Sequence, residues 1–302
     1  MALMLAQEER VQDLDRNRQF VIQPKLDGAR YQLKLKVSGE IELQGRHSNE
    51  LRNAFFPEII EEAMQMTGKL PEDIMLDGEM ICGIRDGFFY RTNFSQLQSR
   101  EHTQNQLKIK LLRKVCPCKF IVFDILTDSL KDASLVNRLE VLTMFLGQFR
   151  DSEDIRYPSN RILPIPSELG NAQRIETLFN EAKGKALEGL MVKDPDSKYH
   201  NGRDSAWRKL KCWSELDLHV IGYKSKTRDI SSLILQDGSC VNAIIDEVQA
   251  EWIKSQEVSI QKQTYEGIEF YFSRSNIIAK IKYLPSQYEK ARFPVLRELI
   301  IG

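Results

Sequence analysis

Gln23-Pro24-Lys25-Leu26-Asp27-Gly28-Ala29-Arg30 stands between two apolar runs. Phe20-Val21-Ile22 leads in, and Tyr31 to Val37 leads out with apolar and polar residues alternating, so both read as strands. Asp27-Gly28 supplies turn chemistry between them. A lysine placed there has two readings. It is a solvated cation on a surface hairpin, or it is a nucleophile. An amine attacks phosphorus only when neutral, and an ordinary lysine is almost wholly protonated at neutral pH. Neighbouring cations or a metal ion expose the lone pair. The rest of the chain decides between the two.

With 302 residues there is room for one large domain and a small one, or for two of medium size. No apolar run reaches membrane-spanning length, and acidic residues follow the short apolar start at Met1 to Ala6, unlike a signal peptide. The five cysteines are scattered and odd in number, which suits a reducing compartment. Cys116-Pro117-Cys118 has no second Cys/His pair at ligand spacing and makes a poor zinc half-site. The net charge is +0, so any nucleic-acid footprint is local.

Outward from the opening stretch, residues 1–18 are charged and read as helical or frayed. Ser38-Gly39 marks a turn before a strand at Ile41-Glu42-Leu43, and Gln44 to Asn49 reads as a polar loop. Phe56 to Met66 has helical spacing, with Pro57 fit for a first turn. Ile74 to Ile81 reads as a buried strand carrying Asp77 and Glu79. Asn93 to Lys114 reads as helix. From Arg100 to Lys119 there are six Lys/Arg against one Glu, either a solvated helix face or a phosphate-tracking surface. Phe120 to Leu126 is a further buried strand. Ser134 is an N-cap for an amphipathic helix to Phe149. A short strand at Ile162 to Ile165, a helix at Ala172 to Lys183 and a strand at Glu188 to Lys193 follow. A polar loop then runs to Asp204, before Trp207-Arg208-Lys209-Leu210-Lys211. Beyond Trp213-Ser214 the segments are short and β-like, about enough for one small barrel. Asp246 to Glu257 reads as helix, linker or insertion.

Asp77, Glu79, Asp124, Glu188, Lys193, Lys209 and Lys211 all sit in otherwise apolar strands. Burying a lone charge is costly. Such a chain builds ion pairs or lines a pocket. Cations suit phosphates, carboxylates suit a divalent metal or ribose hydroxyls, and the aromatic Phe123 suits a base. Neither a P-loop nor a dinucleotide-binding glycine motif follows a strand, so a nucleotide site here is of another kind.

In this order the motifs resemble the covalent nucleotidyltransferase superfamily, and within it the ATP-dependent DNA ligases. Lys25-Leu26-Asp27-Gly28-Ala29-Arg30 matches the K-x-D-G-x-R nucleophile motif. Gly45-Arg46 to Asn49 resembles the arginine loop after it. Leu76-Asp77-Gly78-Glu79 and Val122-Phe123-Asp124-Ile125-Leu126 match the third motif and its aromatic companion. Glu188-Gly189-Leu190-Met191-Val192-Lys193 has the fourth motif in its DNA-ligase form, and Trp207 to Lys211 resembles the fifth. The likeness is close over residues 20–213 and loose beyond.

The resemblance implies an α+β fold: an ATP-grasp-like nucleotidyltransferase domain over 1–213, with antiparallel sheets and flanking helices, then a small OB-fold β-barrel over 214–302. It implies that Lys25 is adenylated by ATP, with Mg2+ or Mn2+ as the metal. Gln23 stands where ligases commonly carry an adenine-contacting glutamate, and its amide oxygen can still accept from an amino group. Phe123 would stack on adenine, and Glu79 would hold ribose or metal. Arg30 and Arg46 would contact ribose or phosphate, Lys193 and Arg203 the nucleotide phosphates. Glu188 would help bind metal, and Lys209 and Lys211 would bracket the α-phosphate. Arg292, in Ala291-Arg292-Phe293-Pro294, looks like the start of the last motif, although the usual Asp-Lys is absent after Arg297-Glu298.

The expected partner is nicked duplex DNA, handled by a monomer of minimal-ligase size in a cell's cytoplasm or nucleoid, a virus, or a eukaryotic nucleus. The roles expected are those of repair, replication and recombination. RNA ligases and mRNA-capping guanylyltransferases share the K-x-D-G chemistry and are the enzymatic alternative. A degenerate clamp that binds nicks without sealing them is the non-enzymatic one.

Overall fold

In a computed structural model, residues 3–46, 50–149, 160–226, 229–242, 245–256, 258–264, 267–272, 276–284 and 291–301 are described. The chain divides into two compact units, Met1–Ala182 with Gly189–Leu210, and Lys183–Glu188 with Lys211–Gly302.

The first unit holds strands β1 (Met4–Glu8), β2 (Phe20–Pro24), β3 (Ala29–Leu35), β4 (Ile41–Gly45), β5 (Ile74–Asp86), β6 (Phe89–Thr92), β7 (Cys118–Leu126), β8 (Ile162–Pro164), β9 (Glu168–Gly170), β10 (Gly189–Lys193) and β11 (Gly202–Lys211). Its helices are α1 (Pro57–Met66), α2 (Phe94–Glu101), α3 (Gln106–Val115), α4 (Leu135–Gly147) and α5 (Ala172–Gly184). One sheet runs β1-β11-β10-β2-β9, and the other β4-β3-β5-β7-β8 with β6 on β5. Antiparallel ladders dominate, with β1/β11 and β7/β8 parallel. In the second sheet Leu33, Leu76, Phe120 and Val122 point to a core closed by Ile59 and Ala63 of α1, Leu97 of α2 and Leu142 and Leu146 of α4. Strand alternation then turns Arg30, Gln32, Asp77, Glu79 and Phe123 to the opposite face.

The opening stretch does not form a hairpin. β2 pairs with β10 and β9, while β3 pairs with β4 and β5. The chain crosses from one sheet to the other at Lys25–Gly28. Gly28 serves close approach: a Cβ there would lie 2.3 Å from the Met80 carbonyl oxygen and 2.8 Å from Glu79 Cγ. Its missing side chain seats the crossing against β5.

Four further expectations are corrected. Residues 3–18 hold no α-helix: β1 occupies Met4–Glu8, and a single 3-10 turn Val11–Asp13. β1 pairs with β11, close to two hundred residues away, and no local pattern reports such a partner. The helix expected from Asn93 to Lys114 is two. Asn93 caps α2 through the Gln96 N–H, and Asn105 caps α3 through the Leu107 and Lys108 N–H groups, so the second cap restarts the helix. The basic stretch after Arg100 is not all surface either. Arg100 is buried and donates two hydrogen bonds to the Glu58 carboxylate, at 2.8 and 3.0 Å, and Arg113 pairs with Glu61. Finally, the polar loop ends early, since β11 begins at Gly202.

The second unit contains β12 (Ser214–Lys226), β13 (Asp229–Leu235), β14 (Cys240–Asn242), α6 (Glu247–Ser255), β15 (Val258–Thr264), β16 (Gly267–Phe272), β17 (Ile277–Leu284) and β18 (Arg292–Ile301). β12 pairs with β17 over Ser214 to His219, then with β13 and β16 beyond Val220. One long strand thus serves two ladders, and the sheet curls. Leu218, Val220, Leu233, Leu235, Ile277 and Ile281 fill the interior, with Ile253 of α6 among them. Asp246 and Gln249 form a capping box at the start of α6, so most of the segment left open between helix and linker is helix; Glu257 lies outside the described residues. Among the described residues no helix is long and apolar enough to cross a membrane.

Candidate active site

Register assembles the first unit's candidate residues on two facing sheets. Opposite residues in a ladder share a face. Gln23 lies opposite Met191, and Val21 opposite Lys193. The Lys25 N–H donates to the Gly189 carbonyl at 2.9 Å, which extends the β2–β10 ladder by one rung. On β11, Trp207 and Lys209 are two residues apart and share a face. The Trp207 ring meets Phe123 of the other sheet edge-to-face at 6.0 Å, so this is the face that looks across to the second sheet.

Between the sheets lies a layer of buried charge. Asp77 and Asp124 are opposite each other in β5 and β7, and neither is exposed to solvent. Each has its own arginine. Arg30 holds Asp77 by two bonds, Nε to Oδ1 at 2.9 Å and Nη2 to Oδ2 at 2.6 Å. Arg138 of α4 holds Asp124 at 2.7 and 2.9 Å. The Tyr199 hydroxyl also donates to Asp77 at 2.8 Å, and Arg30 Nη1 donates to the Met4 carbonyl at 2.7 Å, which fastens β1 in place. Burial works against the Arg30 charge, but Asp77 outweighs it and holds the guanidinium pKa above its usual range. Arg30 is thus engaged by a carboxylate in this chain, while a ribose or phosphate was the expected contact.

Lys193 is fully buried, and its Nζ has no hydrogen-bond partner. It lies 3.7 Å from the centroid of Trp207 and 4.7 Å from that of Phe123, and Arg30 Cζ is 5.1 Å from Phe123. Burial pulls the Lys193 pKa down to about 7, against the pull of Asp124 and Asp77. A lysine with a lowered pKa gains its proton more readily in the unfolded chain than in the fold. The resulting penalty grows as pH falls from about 10.5 towards 7 and is constant below that. Lys193→Met should therefore stabilise the protein by about 1–4 kcal/mol at pH 6.5. The gain should shrink at pH 9.5. Urea midpoints at the two pH values check this, and a gain independent of pH would contradict the stated cause.

Gln23 is fully buried. Its Nε2 donates to Ser167 Oγ at 3.0 Å, and its Oε1 has no partner. The other expected residues are more dispersed. Arg203 is exposed and reaches the Ala6 carbonyl at 3.3 Å, and Arg46 follows β4, with His47, Ser48 and Asn49 outside the described residues. Glu79 lies opposite Arg30 in the β3–β5 ladder. In the second unit, the Glu188 carbonyl accepts from the Cys212 N–H at 3.0 Å. There Lys211 and Lys282 lie over Trp213 at 4.6 and 4.4 Å. The backbone of Arg292 pairs with Leu284 in the β17–β18 ladder. Among the described residues no three His, Cys, Asp or Glu side chains gather as a metal-holding group. An ion held largely by nucleotide phosphates and water, as magnesium is, needs no such group.

Tyr199, Ser167, Arg138 and the Arg100–Glu58 pair were not anticipated. Arg138 had a legible signal, since Leu135, Arg138, Leu142 and Leu146 share the buried face of α4. An arginine on an apolar stripe needs a buried acid.

The family described as ATP dependent DNA ligase domain matches residues 3–211. The SPbeta prophage-derived DNA ligase-like protein LigB of Bacillus subtilis (strain 168) is 27% identical over 278 residues, covering 91% of this chain and 90% of that protein. DNA ligase 1 of Methanosarcina barkeri is 30% identical over 217 residues, 66% of this chain and 36% of its own. The bifunctional non-homologous end joining protein LigD of Bacillus subtilis is 26% identical, over 71% of this chain and 35% of its own length. The chain therefore spans about a third of the length of the last two. A structure from a study of Lig E DNA ligases aligns over 99% of both chains with a TM-score of 0.64 at 17% identity. A mycobacterial DNA ligase D complexed with ATP and MES aligns over 99% of this chain and 95% of its own, with a TM-score of 0.54 at 20% identity. The mixed α+β fold expected from the motifs, a nucleotidyltransferase domain followed by an OB barrel, is the fold these structures share with this chain.

Proposed function

The chain belongs to the family of ATP-dependent DNA ligase domains, and from that premise we propose that it seals nicks in duplex DNA through an adenylated Lys25. The Lys25 amine attacks the α-phosphorus of ATP. A nitrogen–phosphorus bond forms, the bond to pyrophosphate breaks, and the amine gives up a proton. AMP then passes to the 5′-phosphate of the nick, and the 3′-hydroxyl displaces it. All three are in-line phosphoryl displacements, in which position and positive charge do most of the work.

The observation that carries the reading is the ladder between β2 and β10. It sets Lys25 one rung beyond Leu190–Pro24, with its backbone N–H on the Gly189 carbonyl, so that the start of the K-x-D-G motif lies beside the start of E-G-L-M-V-K. Gly28 packs the same crossing against Glu79 and Met80. In this reading Gln23 Oε1 accepts from the adenine amino group and Phe123 offers its ring to the base. Arg46, Lys193, Arg203, Lys209 and Lys211 answer the phosphates, and Arg292 contributes from the last motif. Arg30 acts through Asp77. Glu79 and Glu188 are the carboxylates that would hold a magnesium ion arriving with ATP, which would offset phosphate charge.

Nick sealing with ATP and magnesium on DNA and RNA duplexes side by side tests this. The expected result is sealing of nicked DNA with AMP released. Sealing of RNA alone would reassign the chain to the RNA ligases. Binding of nicks with neither sealing nor an AMP adduct would make it a clamp.

A further inference from the structure

A glutamine where adenine is to be read poses a problem that a glutamate does not. A carboxylate only accepts, whereas an amide turned by half a rotation presents NH2 in place of oxygen. The first arrangement suits a 6-amino purine and the second a 6-oxo purine. Something must fix the amide.

We infer that Ser167 sets the nucleotide specificity of this site by locking Gln23 as an acceptor. This rests on the adenylation reading above. Ser167 Oγ donates its one hydrogen to the Ile165 carbonyl at 3.2 Å. Toward Gln23 it can then only accept, which it does from Nε2 at 3.0 Å. The polarity of a backbone carbonyl is thus relayed through the hydroxyl to the amide. Oε1 is left as the free end of the chain, fully buried and without a partner. A buried acceptor in that state gains a full hydrogen bond from an amino group. Against a carbonyl oxygen it loses that bond and adds repulsion. The relay is local. Ser167 lies between β8 and β9, one residue before Glu168, which pairs with Ile22 of β2, so the serine stands next to Gln23. Ser167 is a positioning residue, since it acts through Gln23.

The test is self-labelling of the full chain with limiting ATP or inosine triphosphate, which replaces the 6-amino group by an oxygen. Intact mass distinguishes the AMP from the IMP adduct. Ser167→Ala frees the amide to turn, and the preference for ATP over inosine triphosphate should fall by about tenfold. Gln23→Glu in the Ser167→Ala background removes the ambiguity, because a carboxylate has no donor end, and the preference should return. A packing role for Ser167 would weaken both nucleotides alike and would not be rescued by glutamate; that result overturns the inference. So does an unchanged ratio in Ser167→Ala when the wild type labels normally. Absence of any adduct on the wild type is a different failure: it overturns the adenylation reading itself, and the relay falls with it.

Discussion

Lys25→Arg should show no AMP adduct after incubation with ATP, and its overall sealing of an ordinary nick should fall by more than about a thousandfold. Arginine keeps the positive charge and most of the length. It is not deprotonated in proteins, so it holds charge without offering a lone pair. The exchange therefore separates the nucleophile from the cation. The ladder bond at this position comes from the backbone N–H to Gly189, which the substitution keeps. Thermal melting of the variant should accordingly match the wild type. The last step of the proposed reaction uses no lysine amine, so the variant should still seal a nick that already carries AMP on its 5′-phosphate. An AMP adduct on the variant would move the nucleophile elsewhere. Failure on the pre-adenylated nick would mean that Lys25 also serves the final displacement.

Much of this architecture is legible along the chain. Strands β2, β3, β7, β10 and the first part of β5, Ile74 to Ile81, are apolar or alternating runs, and each is readable from a few neighbouring side chains, while β5 itself continues to Asp86. The cap at Ser134 and the proline at the start of α1 gave their helices away as well. What stayed hidden is what depends on distant partners. β1 is a strand because Met4 is buried and its backbone meets Arg30 and Tyr199, and nothing in Met-Leu-Ala-Gln-Glu announces that. Lys25-Leu26-Asp27-Gly28 looks like a hairpin turn because Asp-Gly favours turns, yet the two strands join different sheets. The choice between a turn glycine and a packing glycine is made by β5.

The candidate site divides in the same way. The motif order brings out Lys25, Gln23, Glu79, Phe123 and Lys193. It cannot tell which charges are spent on one another. Asp77 and Arg30 come from two motifs and bind each other, while Asp124, in the aromatic motif, is bound by Arg138, which belongs to no motif. The strand that carries Phe123 thus depends on a helix whose sequence reads as ordinary core. Phe123 itself packs on Arg30, Lys193 and Trp207, so its place at the site is fixed by cations as much as by apolar neighbours.

The largest loss of stability should come from Arg138. Its side chain is inaccessible to solvent and makes four bonds. Two go to Asp124, one to the Ala133 carbonyl at 2.7 Å and one to the Ser197 carbonyl at 3.0 Å. Arg138→Met fits the apolar helix face but strands Asp124, buried and directly across the ladder from Asp77. Breaking such a pair from one side costs about 3–5 kcal/mol, because the remaining charge has neither water nor a partner. Burial already pushes the Asp124 pKa up, and Arg138 opposes that push. Without the arginine the carboxyl is held higher still, so the fold keeps a proton that the unfolded chain has released. Stability then falls as pH rises through the ordinary carboxyl range and up to the raised pKa, and the deficit of Arg138→Met should be greater at pH 8 than at pH 5. Asp124→Asn in the same background removes the stranded charge and should recover a substantial part of the loss. Urea unfolding of the single and double variants at both pH values measures all of this. A deficit under about 1 kcal/mol, or a double variant no more stable than the single one, would show that the pair is not what holds β7 to α4.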